Sequence, residues 1–399
     1  MTGDEEWVKV EMEQLQREID ESGVANIEEF LRKRTERWRE VEVNIAITGN
    51  SGAGKSSFIN TIRELVEDDE GAAPVGVVEC TKEPTAYVHP TNPNIKFWDL
   101  PGIGTPNYPD LETYVQKVQL ETYHAFLIFT ATRFTENDLQ LALKIRSMQK
   151  KFLFVRAKID ENVRAESRKR SFDETAMLTN IRRDCLGNLG DLLIDEEDIF
   201  LICNHEPGKW DFVRLTQAIL DALTRYQQES MTLSLGKVIT RSSTDIFQRK
   251  VRVLKGRIWI VASASALAAL VPLPGLSVLV DAGLILKELS LYRSQLGLPE
   301  IGSAEFARLH FATKEKVLKV GLTTAAQLGG FLAPYAAEAV LEEVARYIPF
   351  VGFAIASGMS FGATYHALSK LLGAVEEVAL LVIKEAAEKT VADLESQID

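Results

Sequence analysis

The run Gly49-Asn50-Ser51-Gly52-Ala53-Gly54-Lys55-Ser56 has the spacing G-x-x-x-x-G-K-S, which can hold a chain of phosphates. Its glycines let the backbone curl until its N–H groups point inward, and the N-terminus of a following helix adds partial positive charge. The Lys55 ammonium can reach the β- and γ-phosphates, and the Ser56 hydroxyl can bind Mg²⁺. A second group, Asp99-Leu100-Pro101-Gly102, has the form D-x-x-G. Its carboxylate can hold Mg²⁺ through water, and the Gly102 N–H can meet a γ-phosphate. A third, Lys158-Ile159-Asp160, can read a base: the lysine stem lies over a purine ring while the carboxylate accepts from guanine N1–H and N2–H₂. Adenine offers no such donor pair, and a buried acceptor left unpaired is strongly rejected, so the pattern selects GTP over ATP. Leu201-Ile202-Cys203-Asn204 would bring the backbone N–H groups of Cys203 and Asn204 near guanine O6. Taken singly, each motif also occurs as an ordinary turn or solvated loop; their order along the chain joins them.

The elements around these motifs supply that order. Apolar, β-branched or aromatic runs predict strands over 41–48, 84–89, 95–100, 124–130, 151–157 and 198–203, with helical patterns between them, for example over 136–150 and 210–226. Strands alternating with helices predict an α/β fold, a Ras-like P-loop domain with a mostly parallel six-stranded sheet covered on both faces. The first motif then follows the first strand and opens a helix beginning Ser57-Phe58-Ile59, and Asp99 ends a strand. The charged stretch 160–198 predicts a surface insertion carrying one helix; acids interleave its arginines, so it is not a basic binding face.

Helices are expected at both ends. Val8, Met12, Leu15 and Ile19 share one face, and Asn26 precedes Glu29 at capping-box spacing before a second stripe ending at Trp38. From about Glu229 only helical patterns remain. The expected division is 1–38 as N-terminal helices packing with a helical domain, 39–227 as the nucleotide-binding domain, and 228–399 as the C-terminal helical domain. The chain's 399 residues, 46% hydrophobic and 26% charged, are ample for two or three domains. A net charge of −12 argues against broad nucleic-acid binding. Cys80, Cys185 and Cys203 have neither metal-like spacing nor even pairing, which suits ordinary thiols in a reducing, cytoplasmic compartment. The acidic start Met1–Glu6 shows no signal peptide, and glycine at position 3 does not make a myristoylation pattern.

Between the phosphate loop and Asp99 lies Gly71-Ala72-Ala73-Pro74-Val75-Gly76-Val77-Val78-Glu79-Cys80-Thr81, small residues that suit a nucleotide-sensing switch. Thr81 is a further hydroxyl for Mg²⁺. Ile103 follows Gly102 where Ras-like proteins keep a water-orienting glutamine; an apolar side chain cannot orient water, so hydrolysis by the isolated chain should be slow.

Taken together, Gly49–Ser57, the switch from Gly71 through Gly76 to Glu79, Phe97-Trp98-Asp99-Leu100-Pro101-Gly102-Ile103-Gly104, Ala131-Thr132-Arg133-Phe134 and, more weakly, Gln248 with Arg257-Ile258-Trp259 resemble the immunity-related GTPases. These are interferon-inducible, dynamin-like GTPases of vertebrates. The resemblance implies a G domain joined to a helical domain, GTP-dependent self-assembly, hydrolysis stimulated by dimerisation, and action on intracellular membranes, notably vacuoles holding pathogens. It implies nucleotide contacts from Gly49 through Ser57 and from Gly76, and casts Glu79 as the switch acid assisting hydrolysis; the alternative for Glu79 is an exposed switch charge. Val75 stands where relatives have a switch threonine, Ala157 where they have the Thr of T-K-x-D, and Cys203 where they have the Ser of S-N.

Three stretches carry no Lys, Arg, Asp or Glu: 258–280, 320–337 and 347–369. The first is long enough to span a bilayer, but Pro272 and Pro274 leave only a short helix before the break. A helical domain meeting intracellular membranes peripherally is the leading expectation, with partial insertion the alternative. Two further alternatives stand beside a self-assembling GTPase: a non-hydrolysing guanine-nucleotide scaffold, and a membrane-embedded protein with a cytosolic G domain.

Overall fold

The structure, a computed structural model, describes residues 17, 21, 27–76, 81, 83–105, 107–192, 196–268, 276–334 and 355–395. The first N-terminal apolar stripe, Glu79, Cys80 and parts of the three uncharged stretches lie outside them.

The chain forms two compact units, one from 1–37 with 247–399 and one from Trp38–Ile246. In the second unit the elements run β1 (Val43–Gly49), α2 (Lys55–Ile62), β2 (Thr85–His89), β3 (Asn92–Asp99), α3 (Leu111–Val118), β4 (Ala125–Thr130), α4 (Glu136–Ser147) and β5 (Lys151–Arg156). They continue through α5 (Ile159–Glu166), α6 (Glu174–Leu189), β6 (Ile199–Leu201), α7 (Phe212–Asp221), α8 (Arg225–Ser234) and α9 (Lys237–Ser242). The helix α1 (Ile27–Glu40) precedes them.

Six strands form one sheet in the order β2-β3-β1-β4-β5-β6. All neighbours are parallel except β2 and β3, and the β2–β3 register shifts at Val88/His89. The short connection between β2 and β3 permits only a hairpin, since a parallel pair needs a crossover of a dozen residues or more. Side chains alternate across the sheet. Ala125, Leu127 and Phe129 of β4 join Phe58, Ile59 and Ile62 of α2 and Phe212, Leu215 and Ile219 of α7 in one core. Phe126 and Ile128 join Tyr114 of α3, Leu141 and Ile145 of α4 and Leu189 of α6 in the other. Burial on both faces explains why these strands read as continuous apolar runs.

Two expectations are corrected. The charged stretch after Asp160 carries two helices, α5 and α6, and α6 is part of the sheet's cover rather than a surface insertion. Its first turn is capped by Asp173, which accepts from Ala176 N at 3.0 Å, and Cys185 and Leu189 pin its far end. The helical pattern over 210–226 divides at Thr224, whose capping box with Gln227 starts α8.

In the other unit the described residues past α10 (Thr244–Ala268) form only helices: α11 (Leu276–Gln295), α12 (Ala304–Ala307), α13 (Phe311–Lys319), α14 (Ala325–Leu332) and α15 (Ile355–Glu395). Among the described residues no helix is long and apolar enough to cross a membrane. Arg257 of α10 and Glu288 of α11 pair at 2.7 Å while 3% and 5% exposed, and Arg257 also donates to the Thr35 carbonyl of α1. On α15, Glu385 accepts from His310 N at 2.7 Å and from Lys389 at 2.7 Å, fixing the start of α13. Burial raises the Glu385 carboxyl, but hydrogen bonds from Lys389, Thr313 and His310 N outweigh it and hold it at about 2. A depressed carboxyl stabilises the fold above its unfolded value, near 4.5, and that contribution fades as pH falls toward 2. Glu385→Gln is therefore expected to lower the unfolding temperature above pH 5, and thermal scans should show the gap to wild type closing between pH 4.5 and 2.5.

Candidate nucleotide site

The site lies at the carboxyl end of β1, where the sheet order turns to β3 on one side and β4 on the other; open α/β sheets bind ligands at such switch points. Gly49 leaves β1 at φ 129°, and a Cβ there would stand 2.0 Å from the Phe129 carbonyl oxygen of β4. Only glycine allows the loop to start so close to the neighbouring strand. The loop ends at Gly54, φ 90°, the N-cap of α2, which has no side-chain cap. The first N–H groups of α2 therefore stay available to an anion, as a phosphate-binding loop requires. Lys55 folds back over the loop, donating to the carbonyls of Gly49 at 3.0 Å and Asn50 at 3.2 Å.

The three residues expected to face Mg²⁺ meet. Ser56 Oγ and Thr81 Oγ1 donate to the same oxygen of Asp99, Oδ2, at 3.2 and 2.8 Å. Asp99 is 2% exposed, and its Oδ1 is buried without a hydrogen-bond partner. Burial pushes its carboxyl up, while the Lys55 charge and the Thr81 and Ser56 hydroxyls pull it down. Two hydroxyls and a carboxylate with one oxygen unused are hard oxygen donors that fit a divalent cation.

The base end is built from the exits of β5 and β6. Lys158, at φ 61°, turns the chain out of β5 and caps α5, placing Asp160 in the helix's first turn. Ile159 N donates to Ile202 O at 3.2 Å, joining the two exits. Asn204 Nδ2 donates to Gly54 O at 2.9 Å and Thr61 Oγ1 to Asn204 O at 2.9 Å, so the base end is fastened to α2. Cys203 is 1% exposed; burial pushes its thiol up to about 11, and neighbouring Asp160 adds to the shift. Cys203 and Cys185 are both buried free thiols, as expected for inert cysteines. Asp211 secures β6 from below, accepting from Leu201 N at 2.8 Å and pairing with Arg182 and Arg214.

One cavity of about 490 Å³ runs between the two ends. Of the residues expected to bind, Ser51 through Ser57, Gly76, Thr81, Gly102, Lys158, Asp160 and Asn204 line it. Gly49, Asn50, Asp99 and Cys203 do not; Gly49, Asp99 and Cys203 are buried beneath. Pro74 and Val75 of the switch also line the cavity, as do Glu67, Glu161 and His205, which were not singled out by motif. Glu161 and His205 adjoin flagged residues, whereas Glu67 sits in an acidic run with no pattern to mark it. Ala157 is fully buried against the loop, its Cβ 3.6 Å from where a Cβ on Gly54 would stand. Ile103 packs against the core of α3 and α4, consistent with a side chain that orients no water.

The profile of a family described as interferon-inducible GTPase (IIGP) matches residues 8–389. Mouse interferon-inducible GTPase 1 is 37% identical over 270 residues, 67% of this chain and 64% of that protein, so the match spans just under two thirds of that relative. Mouse T-cell-specific guanine nucleotide triphosphate-binding protein 2 is 33% identical over 88% of this chain and 85% of its own length. Rat interferon-inducible GTPase 5 is 31% identical over 96% and 83%. With a family match over nearly the whole length and a phosphate loop, D-x-x-G and K-x-D brought to one cavity, the chain belongs to the interferon-inducible GTPases.

Proposed function

We propose that the chain is a guanine-nucleotide switch that binds GTP or GDP with Mg²⁺, hydrolyses GTP slowly alone, and turns over faster when copies assemble. The observation that carries this reading is the single cavity with Lys55, Ser56 and Thr81 at one end and Lys158, Asp160 and Asn204 at the other. Gly49 to Ser57 cradle the phosphates, Gly76 and Gly102 offer N–H groups to the γ-phosphate, and Cys203 and Asn204 close the base end. Ser56, Thr81 and Asp99 hold Mg²⁺, which when bound neutralises charge building on the phosphate oxygens. Lys55 brings a second positive charge to the same oxygens once it exchanges its loop carbonyls for phosphate. The water-orienting role that Ile103 cannot fill falls to Glu79, a carboxylate that acts when copies associate.

In the same reading the unit Trp38–Ile246 holds the G domain, expected over 39–227, and the unit of 1–37 with 247–399 is a helical domain that meets intracellular or pathogen-containing membranes peripherally, in the cytoplasm, during innate defence. Supporting this are the family membership and the lack, among the described residues, of a helix able to cross a bilayer. Nucleic acid is not a partner in this reading; the net charge is −12.

Turnover per molecule, measured over a series of protein concentrations with GTP and with ATP, tests the proposal. It is expected to rise with concentration for GTP and to stay at background for ATP. Glu79→Ala should keep GTP binding and lose the rise. A flat profile for wild type would favour the non-hydrolysing scaffold, the reading that a half-buried, apolar Ile103 supports. Carbonate extraction of membranes should release the protein; retention in the pellet would mean insertion.

A further inference from the structure

Two side chains at the last turn of α2 hold the switch by its backbone. Asn60, 3% exposed, donates from Nδ2 to the Ala73 carbonyl at 2.9 Å and accepts at Oδ1 from Ala73 N at 2.6 Å. Both polar groups of one buried residue are thereby satisfied by one side chain. Arg63, 6% exposed, donates from Nη2 to Gly71 O at 2.9 Å and from Nε to Val88 O of β2 at 3.0 Å. Residues 71–73 are thus fastened to α2 and to the edge of the sheet. Immediately beyond them Pro74, Val75 and Gly76 are exposed and line the cavity, whereas Ala73 does not. Among the described residues that follow, Thr81 is held on Asp99.

One two-turn helix therefore bears Lys55 and Ser56 at its start and the switch anchor at its end. We propose that Asn60, seconded by Arg63, is a positioning residue: it fixes the point from which residues 74–76 reach the γ-phosphate, and so sets how sharply the protein tells GTP from GDP. The inference rests on the guanine-nucleotide reading above. GDP needs only the loop and the base end, neither of which depends on where the switch begins. The γ-phosphate is the group a switch must meet, and a segment already confined at its base loses less chain entropy on meeting it. Ligand discrimination can arise only from such differential interaction. Loss of Asn60 leaves a buried N–H and C=O of Ala73 unpaired, which releases the start of the segment.

The test uses the full chain, titrated with fluorescent GDP and fluorescent GTPγS, with thermal unfolding measured alongside. Asn60→Ala is expected to keep GDP affinity within about twofold and to weaken GTPγS by about five- to tenfold, the scale of one or two lost buried hydrogen bonds. Asn60→Asp keeps the volume and the acceptor for Ala73 N but sets an oxygen against Ala73 O. It should show the same selective loss, and it decides the matter if the alanine variant does not fold. Equal weakening of both nucleotides, or an unchanged GTPγS-to-GDP ratio, overturns the positioning role. A wild-type chain that binds neither nucleotide refutes the guanine reading itself, an outcome distinct from a failed anchor.

Discussion

Asp160→Asn is expected to lower GTP affinity by roughly a thousandfold and to make xanthosine triphosphate the better ligand. Guanine presents two donors, N1–H and N2–H₂, and a carboxylate accepts both. An asparagine in the same place has one acceptor and sets its amide N–H₂ against the N2 amine. Xanthine carries a carbonyl where guanine carries that amine, so the amide can accept from one ring position and donate to the next. Asp160 stands in the first turn of α5 and lines the cavity beside Lys158, so the exchange alters the base end while leaving the phosphate loop as it is. Displacement of fluorescent GDP by GTP and by xanthosine triphosphate measures the swap. Unchanged GTP affinity would mean that Asp160 does not meet the base.

The second large effect is on stability. Arg257→Met should destabilise the helical unit by about 3–5 kcal/mol, because the Glu288 carboxylate would remain buried without its guanidinium. The Thr35 carbonyl would lose a donor as well. For a unit of this size that is a fall of roughly 10 °C in unfolding temperature, readable by differential scanning calorimetry. Pairing it with Glu288→Leu removes the stranded charge, and the double variant is expected to recover most of the loss; a double variant no better than the single would show that the ion pair is not the cause.

Much of the fold was legible because burial on both faces leaves an unmistakable trace. Val43–Gly49, Ala125–Thr130 and Lys151–Arg156 are apolar runs of strand length, and the structure places strands there. The α6 helix was less legible. Leu178, Ile181, Cys185 and Leu189 lie at helical spacing, but only Cys185 and Leu189 of its sixteen residues are fully buried, and Arg182, Arg183 and Asp184 beside them give the stretch the charge of a surface segment. The site motifs could be read because glycine, lysine and aspartate at fixed spacing announce their chemistry. Asn60, Arg63 and Asp211 could not, since each works by holding a backbone N–H or carbonyl distant in sequence. The amino-acid sequence shows side chains, and the partners here are main chain. Thr81 lay between, flagged only as a further hydroxyl for Mg²⁺ and given its place by its bond to Asp99.

The two ends of the sheet have a consequence for how copies of this chain can meet. At one margin β6 is only three residues long, and at the other β2 follows Pro84 and breaks its register at Val88/His89. Arg63 occupies the Val88 carbonyl from within. Such blunted margins give a foreign strand little template to zip onto, which guards the fold against runaway sheet extension and amyloid-like stacking. Copies that associate as proposed would have to do so through faces and loops rather than by joining sheets edge to edge.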